Sequence, residues 1–421
     1  MEQIEKNKAI GDARRATAMK RKFQTCKTFK FKINRSSLNK LQKEQIKMIF
    51  VEAKWIYNYL LSHTDGLFDI KTKYKELNKI THLDKDRNEI DVDIKYLGSS
   101  IKQEMIQRIC NQIKGLSTLK KRGHTVGSLK YKSEINSIPL KQYSITHFIR
   151  GNKFKIQGIK KDIRVSGLKQ LSKYNNIDYA NAKLLYDGYD YFISLTCYFD
   201  KENVNRTYSN KLLGIDMGIN TTITCSNSDK IDVLVGESER LNKLQARLAK
   251  KVKHSNGWYK TISLIRKEYA HINNIKNDKA NKIVSKLLSE NELIIIQDEQ
   301  ISAWHSEEHM SNKVQHSILG RVKYKLMNSD RVVVLDKWFP TTKFCSNCYT
   351  KIDIGLDERT FACPNCGTIE DRDIHAANNM IYFYQRYKDE AGTVCTSKLE
   401  RIKFDNKFAV KPENTTSLAL C

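Results

Sequence analysis

The chain has 421 residues, 40% of them apolar, enough for two or three domains with cores of their own. Lysine and arginine number 74 against 47 acidic residues, a formal charge of +27; a field of that sign gathers polyanions and binds them in a salt-dependent way, which points to nucleic acid as the partner. The longest apolar runs, residues 293–296 and 332–335, are too short to cross a bilayer, and residues 1–22 are charged throughout with no apolar signal-peptide core, so no membrane is expected.

Four prolines and no Gly/Ser linker mean that domain boundaries must be read from changes of periodicity. Residues 1–22 are polar and basic, mobile or helical. Residues 25–33 alternate Phe29, Phe31 and Ile33 with Thr28, Lys30 and Lys32, the period of a half-buried strand. A helix is expected over residues 37–62, with Trp55, Ile56, Tyr59 and Leu60 at helical spacing. The charged stretch 71–95 reads as a helical hairpin or a loop, and a second helix over 99–119. Short strands return from 129 to 200, among them 153–157, 162–165 and 191–198. Strand, helices and more strands predict a small barrel with a helical insertion. Lysines interleaved with tyrosine and phenylalanine suit phosphate contact and base stacking, and suit an ordinary basic barrel equally well.

The second half changes character. Residues 211–216, 221–225 and 231–235 are three short strands. A helix follows with Leu241, Leu244, Leu248 and Val252 on one face, then a long helix over 261–289. The strand 293–296, a helix over 314–327 and the strand 332–335 complete the order of an RNase H-like α/β domain.

Acidic residues recur at the strand ends of this domain. Asp216 ends a strand within Gly214-Ile215-Asp216-Met217-Gly218-Ile219-Asn220; Asp298 and Glu299 follow strand 293–296; Asp371 and Asp373 open a helical segment. Two-metal phosphodiester hydrolysis needs such a set of hard oxygen ligands, which Mg²⁺ prefers. Each acid taken alone could equally be a helix cap or a surface charge, and Asp371 is expected to cap the helix that follows it.

Cys345-Ser346-Asn347-Cys348 and Cys363-Pro364-Asn365-Cys366 are separated by 14 residues. Paired knuckles at this spacing bring four thiolates into a closed tetrahedron whose usual occupant is a structural Zn²⁺; two disulfides or an iron–sulfur cluster are the alternatives. The other six cysteines (Cys26, Cys110, Cys197, Cys225, Cys395, Cys421) are scattered, as suits a reducing cytoplasm.

Taken in order, these residues resemble the TnpB family of transposon-encoded proteins and the related compact type V CRISPR effector nucleases. Phe29–Ile33 with Trp55-Ile56-Tyr57-Asn58-Tyr59-Leu60 resembles the family's first strand and helix, and the Gly214–Asn220 segment its first RuvC motif. Gln315–Arg321 resembles the helix before the ribbon, Phe339–Cys345 the approach to it, and Asp373-Ile374-His375-Ala376-Ala377-Asn378-Asn379 the final RuvC motif. The resemblance covers residues 23–385. It implies Asp216, Glu299 and Asp373 as the catalytic carboxylates and Mg²⁺ ligands, with Asp298 as the fallback for Glu299, because Glu299-Gln300-Ile301 best fits the second motif. His375 stands where the family often has Asn.

The resemblance further implies a multidomain α+β protein with an N-terminal wedge β-barrel, a helical recognition insertion and a C-terminal RuvC/RNase H-like α/β domain carrying an inserted four-cysteine zinc ribbon. Its segments are 1–35 (extension and first wedge strand), 36–125 (recognition lobe), 126–205 (wedge barrel), 206–341 (nuclease, first part), 342–370 (ribbon), 371–385 (nuclease, last part) and 386–421 (a partly disordered tail with no reading). The implied activity is RNA-guided, Mg²⁺-dependent DNA cleavage: a guide RNA pairs with double-stranded target DNA beside a short flanking motif, and one site with two Mg²⁺ cuts both strands. The implied assembly is a monomer or homodimer on the RNA, in the prokaryotic cytoplasm at the nucleoid. Competing readings are an RNA-guided binder or repressor without cleavage, which the intact carboxylates weigh against, and an RNA-independent transposition accessory protein.

Overall fold

The computed structural model describes residues 2–63, 70, 73–83, 88–200, 211–218, 223–232, 234–306, 308–355, 357–391 and 400–403. The chain divides into two compact units, Met1–Val204 and Asn205–Cys421. Ile219 and Asn220 of the first motif, residues 71–72, 84–87 and 221–222, and most of the tail lie outside the described residues.

In the first unit a polar helix α1 (Glu2–Lys22) leads into β1 (Gln24–Ile33), where Phe29, Phe31 and Ile33 are buried and the lysines between them exposed. Helix α2 (Lys40–Ser62) begins with a capping box, Asn39 accepting from the Gln42 amide while the Gln42 side chain accepts from the Asn39 amide. Between α2 and α3 (Ser99–Lys121) stand β2 (Lys79–Leu83) and β3 (Glu89–Asp93). The charged stretch is therefore, where described, an antiparallel hairpin and not a helical one. Ile80 faces Val92 across the ladder, and β-branched residues at alternate positions outweigh the helix-tolerant charges around them. Glu52 of α2 fastens this region, accepting the amides of Lys95, Tyr96 and Leu97 at 2.8–3.0 Å.

The remaining strands are β4 (Ser137–Leu140), β5 (His147–Arg150), β6 (Lys153–Ile156), β7 (Ile163–Ser166), β8 (Asp178–Tyr186) and β9 (Tyr191–Asp200). With β1 they form a seven-stranded antiparallel sheet in the order β4-β8-β9-β1-β7-β6-β5. Its apolar face packs with α2 and α3 in one core that includes Phe31, Ile46, Ile56, Ile109, Phe154 and Leu195.

The second unit opens with β10 (Leu212–Asp216), β11 (Ile223–Cys225) and β12 (Lys230–Ile231), followed by α4 (Glu239–Ala249) and the long α5 (Asn256–Glu290). Next come β13 (Leu293–Gln297), α6 (Glu308–His316), α7 (Leu319–Leu326), β14 (Val332–Leu335), β15 (Thr360–Ala362), β16 (Ile369–Asp371), α8 (Arg372–Ala391) and β17 (Glu400–Ile402). Six strands form a mixed sheet, β12-β11-β10-β13-β14-β17, antiparallel up to β10 and parallel from there on. Strand β13 is apolar along residues 293–296 because both of its faces are covered. Ile294 and Ile296 pack under α5 and α7, whereas Leu293 and Ile295 meet Met380, Phe383 and Tyr384 of α8.

Two further expectations need correction. The helix expected over 314–327 is broken at Ser317 and Ile318, where Ser317 instead bridges to Leu234 and the Val235 amide donates to the His316 carbonyl. Val252 lies beyond the end of α4 and is 78% exposed rather than on its packed face. Residues 386–391 continue α8, and 400–402 extend the sheet as β17 with Ile402 buried beside β14.

Candidate active site and metal centre

The parallel register sets Ile215 beside Ile296, so Asp216, at the end of β10, and Glu299, just past β13, leave the sheet at the same edge. Asp373 comes from elsewhere in the chain, in the first turn of α8. What lets α8 reach that edge is Gly214: a Cβ there would stand 1.9 Å from the Ala377 carbonyl oxygen, so the helix rests directly on the β10 backbone one turn beyond Asp373. Any side chain at position 214 would force the strand or the helix to shift.

Asp216 feels the other two carboxylates. Burial pushes the Asp216 carboxyl up to about 7, and the Asp373 and Glu299 charges push in the same direction, against a smaller pull from Arg372 and the Met217 amide. Glu299 is also raised, chiefly by burial. Asp298 behaves oppositely. Lys323 Nζ lies 2.7 Å from one of its oxygens and Arg401 Nη1 3.3 Å from the other, and these cations hold it below the usual carboxylate range. Of the two neighbours, Glu299 is the one whose charge raises Asp216, while the Asp298 charge raises Glu299.

Asp371 caps α8, accepting from the Asp373 and Ile374 amides at 3.0 and 3.1 Å while its other oxygen meets Lys230 at 2.7 Å. That cap fixes the first turn from which Asp373 projects.

The four cysteines stand at two matched turns. The Cys345 amide donates to the Thr350 carbonyl and the Tyr349 amide to the Cys345 carbonyl; Cys363, Thr368 and Gly367 repeat the pattern. Both turns need a left-handed residue after the second cysteine, Gly367 at φ 73° and Tyr349 at φ 63°. Tyr349 occupies that disfavoured conformation because its ring packs on Phe344 and Tyr382.

Among the described residues these four are the group whose ligand atoms all lie within 4.8 Å of one another, so they could hold a metal ion; the carboxylates are not drawn that close. Sulfur separations of 3.6 Å (Cys345–Cys366) and 3.4 Å (Cys348–Cys363) are far longer than a disulfide bond of about 2.05 Å. They approach the edge of about 3.8 Å that a tetrahedron with Zn–S bonds of about 2.3 Å would have. The thiols are unevenly poised: burial raises Cys345, whereas the Thr350 and Asn365 side chains lower Cys348.

The cysteine turns are bound to α8 through buried polar groups that sequence reasoning missed. The His375 ring stacks on Phe361 at 3.6 Å, with Nε2 2.8 Å from the Phe344 carbonyl and Nδ1 3.0 Å from Glu370. Asn379 Nδ2 donates to the carbonyls of Thr341 and Phe344, both at 2.7 Å. Gln297 at the end of β13 donates to the Phe339 carbonyl and accepts from Thr341 Oγ1, both at 2.8 Å. Polar residues at helix and strand positions expected to be apolar were the signal available in the sequence.

Residues 196–303 match the OrfB_IS605 family, described as probable transposase, and residues 316–380 match the Cas12f1-like TNB domain. A Streptomyces pristinaespiralis protein named as a candidate RNA-guided DNA endonuclease is 28% identical over 200 residues, 45% of this chain and 49% of its own length. InsQ of Escherichia coli strain K12, named likewise, is 28% identical over 97 residues, 22% of this chain and 24% of its own. The chain thus spans about half the length of the first of these relatives and less of the second. A Cas12f1–sgRNA–target DNA complex solved by cryo-electron microscopy aligns over 85% of this chain and 98% of its own, at 12% identity and a TM-score of 0.42. The two family matches succeed each other along the chain, the first spanning Asp216 and Glu299 and the second the four cysteines and Asp373, so the chain is similar in turn to the OrfB_IS605 proteins and to the Cas12f1-like TNB domain.

Proposed function

We propose that this chain is an RNA-guided DNA endonuclease in which Asp216, Glu299 and Asp373 hold two Mg²⁺ ions at a RuvC-type site and Cys345, Cys348, Cys363 and Cys366 hold one structural Zn²⁺. The observation that carries the reading is the convergence of three carboxylates from distant segments at one sheet edge, with Asp216 pushed up to about 7 by burial and by the other two charges. Like charges forced together out of water are costly unless a cation offsets them, and hard oxygens suit Mg²⁺. The donor set fits. A bound pair of ions would lower the pKa of an attacking water and stabilise the leaving oxygen.

The chain's own part is positional. Asp216 sits on a strand buried on both faces, Asp373 on a capped helix turn resting on Gly214, and Glu299 on a backbone held by Lys323. The order of the six-stranded sheet supports reading it as the RuvC/RNase H-like domain; the seven-stranded sheet is read as the wedge barrel, and residues 36–125 as the recognition lobe. The charge of +27 suits an RNA scaffold, a guide–target duplex and the displaced strand, all held through phosphates.

The test is purification of the full chain from its own locus, sequencing of the RNA that accompanies it, and incubation with a plasmid matching that RNA. Cleavage that requires Mg²⁺, a matching guide and all three carboxylates is expected. Guide-dependent binding without cleavage by the unaltered chain would instead establish the repressor reading. Cleavage retained by Asp216→Ala, Glu299→Ala or Asp373→Ala would discard the site.

A further inference from the structure

Asp298 and Glu299 are adjacent acids at the same strand end, and among the described residues only Asp298 is held in ion pairs. We infer that Lys323 on α7 and Arg401 on β17 are positioning residues: they hold Asp298 out of the carboxylate cluster and fix the backbone that directs Glu299 into it. Each Asp298 oxygen has its own cation, Lys323 Nζ at 2.7 Å and Arg401 Nη1 at 3.3 Å. Lys323, 13% exposed, also donates to the Glu299 carbonyl at 2.6 Å, so one ammonium fixes both the first side chain and the peptide that sets the second. The Asp298 amide is held in turn by the Leu335 carbonyl at 2.9 Å. Among the described residues Glu299 forms no ion pair, which leaves its carboxylate available for a cation.

The arrangement solves a problem of charge. An unpaired Asp298 would add a fourth negative group beside three that already repel, and would offer a divalent ion a second, misplaced ligand. Two cations remove it from the competition, and the ordering of β17 acquires a purpose: it brings Arg401 from the C-terminal segment to the edge of the site.

The inference rests on the proposed carboxylate centre, so the first readout is metal binding rather than cleavage. Mn²⁺ would be titrated into the full chain and followed by electron paramagnetic resonance, with DNA cleavage measured separately. Asp298→Asn is expected to bind Mn²⁺ within about twofold of the unaltered chain. Lys323→Ala should weaken binding by about tenfold, as supporting groups around metal ligands commonly do, and Arg401→Ala, at a more exposed and longer contact, by about threefold. Adding Asp298→Asn to Arg401→Ala should restore binding to within about twofold, which a general loss of folding would not allow. Asp298→Asn losing Mn²⁺ as completely as Glu299→Gln would overturn the inference, as would unchanged binding in both cation variants. If the Mn²⁺ pattern holds but no guide supports cleavage by the unaltered chain, the nuclease reading fails and the positioning role stands.

Discussion

The second unit gathers side chains of one kind in two places, and builds the two clusters in opposite ways. The cysteine cluster is local: four ligands within 22 residues, set by two turns of the same design, with sulfurs within 4.8 Å of one another. The carboxylate cluster is global. Asp216, Glu299 and Asp373 are separated by 83 and 74 residues, and they meet only because β10 and β13 pair in parallel and α8 lies on Gly214. A metal bound at a local cluster would complete a small fold, whereas one bound at a global cluster would meet a frame already built by the hydrophobic core.

That contrast can be broken at either end, and the largest effect is expected at the carboxylates. Asp216→Asn, Glu299→Gln or Asp373→Asn should each lower plasmid cleavage by on the order of a thousandfold or more, leaving RNA binding within about twofold in a filter assay. The same site carries a pH signature. In metal-free protein the folded Asp216 keeps its proton up to about 7, whereas an unfolded aspartate sheds it near 3.8, so stability should fall as pH rises through that window. Thermal melts at pH 5 and pH 8 should show the fall, and Asp216→Asn should flatten it.

Zinc removal should act differently. A strong chelator or Cys363→Ser is expected to take the single zinc from each chain and unfold residues 342–370, seen as lost hydrogen-exchange protection there, while the six-stranded sheet stays protected. A ribbon that stays protected without metal would refute the local reading.

A smaller effect is expected where the two clusters are joined. Asn379→Leu leaves the buried carbonyls of Thr341 and Phe344 without that donor, and should cost about 3 kcal/mol in denaturant unfolding of the second unit.

The smallest of the four lies in the first unit and has the opposite pH sign. His147 is fully buried, its Nε2 3.1 Å from the Ala180 carbonyl, and burial lowers it from 6.5 to about 4. Its contribution is complete above about 6.5 and is lost as pH falls toward 4, which amounts to about 2 kcal/mol at pH 5. His147→Phe should reduce the acid sensitivity of this unit in melts followed by hydrogen exchange.

Most elements were legible because they follow from local pattern. Alternation at Phe29, Phe31 and Ile33 marks β1, and an apolar run such as 293–296 marks a strand buried on both faces. The paired C-x-x-C turns were equally plain, since their geometry is contained in the residues between the cysteines. Pattern failed where a partner distant in sequence decided the outcome. Ser317 leaves a helical run to bridge Leu234, and residues 79–83 and 89–93 pair antiparallel inside a stretch whose charges suggested a helical hairpin or a loop. Residues 400–402 become a strand because β14 offers an edge.

What the sequence by itself determined is the chemistry available: an excess of cations, four thiols at a metal-binding spacing, and acids at strand ends. Tertiary structure alone decided which acids meet. Asp298 and Glu299 are neighbours with the same charge; the motif frame favoured Glu299, but nothing in their own chemistry separates them. The distinction arises from Lys323 and Arg401, which reach Asp298 only after α7 and β17 have packed, because electrostatic pairing depends on distance in space and not on distance along the chain.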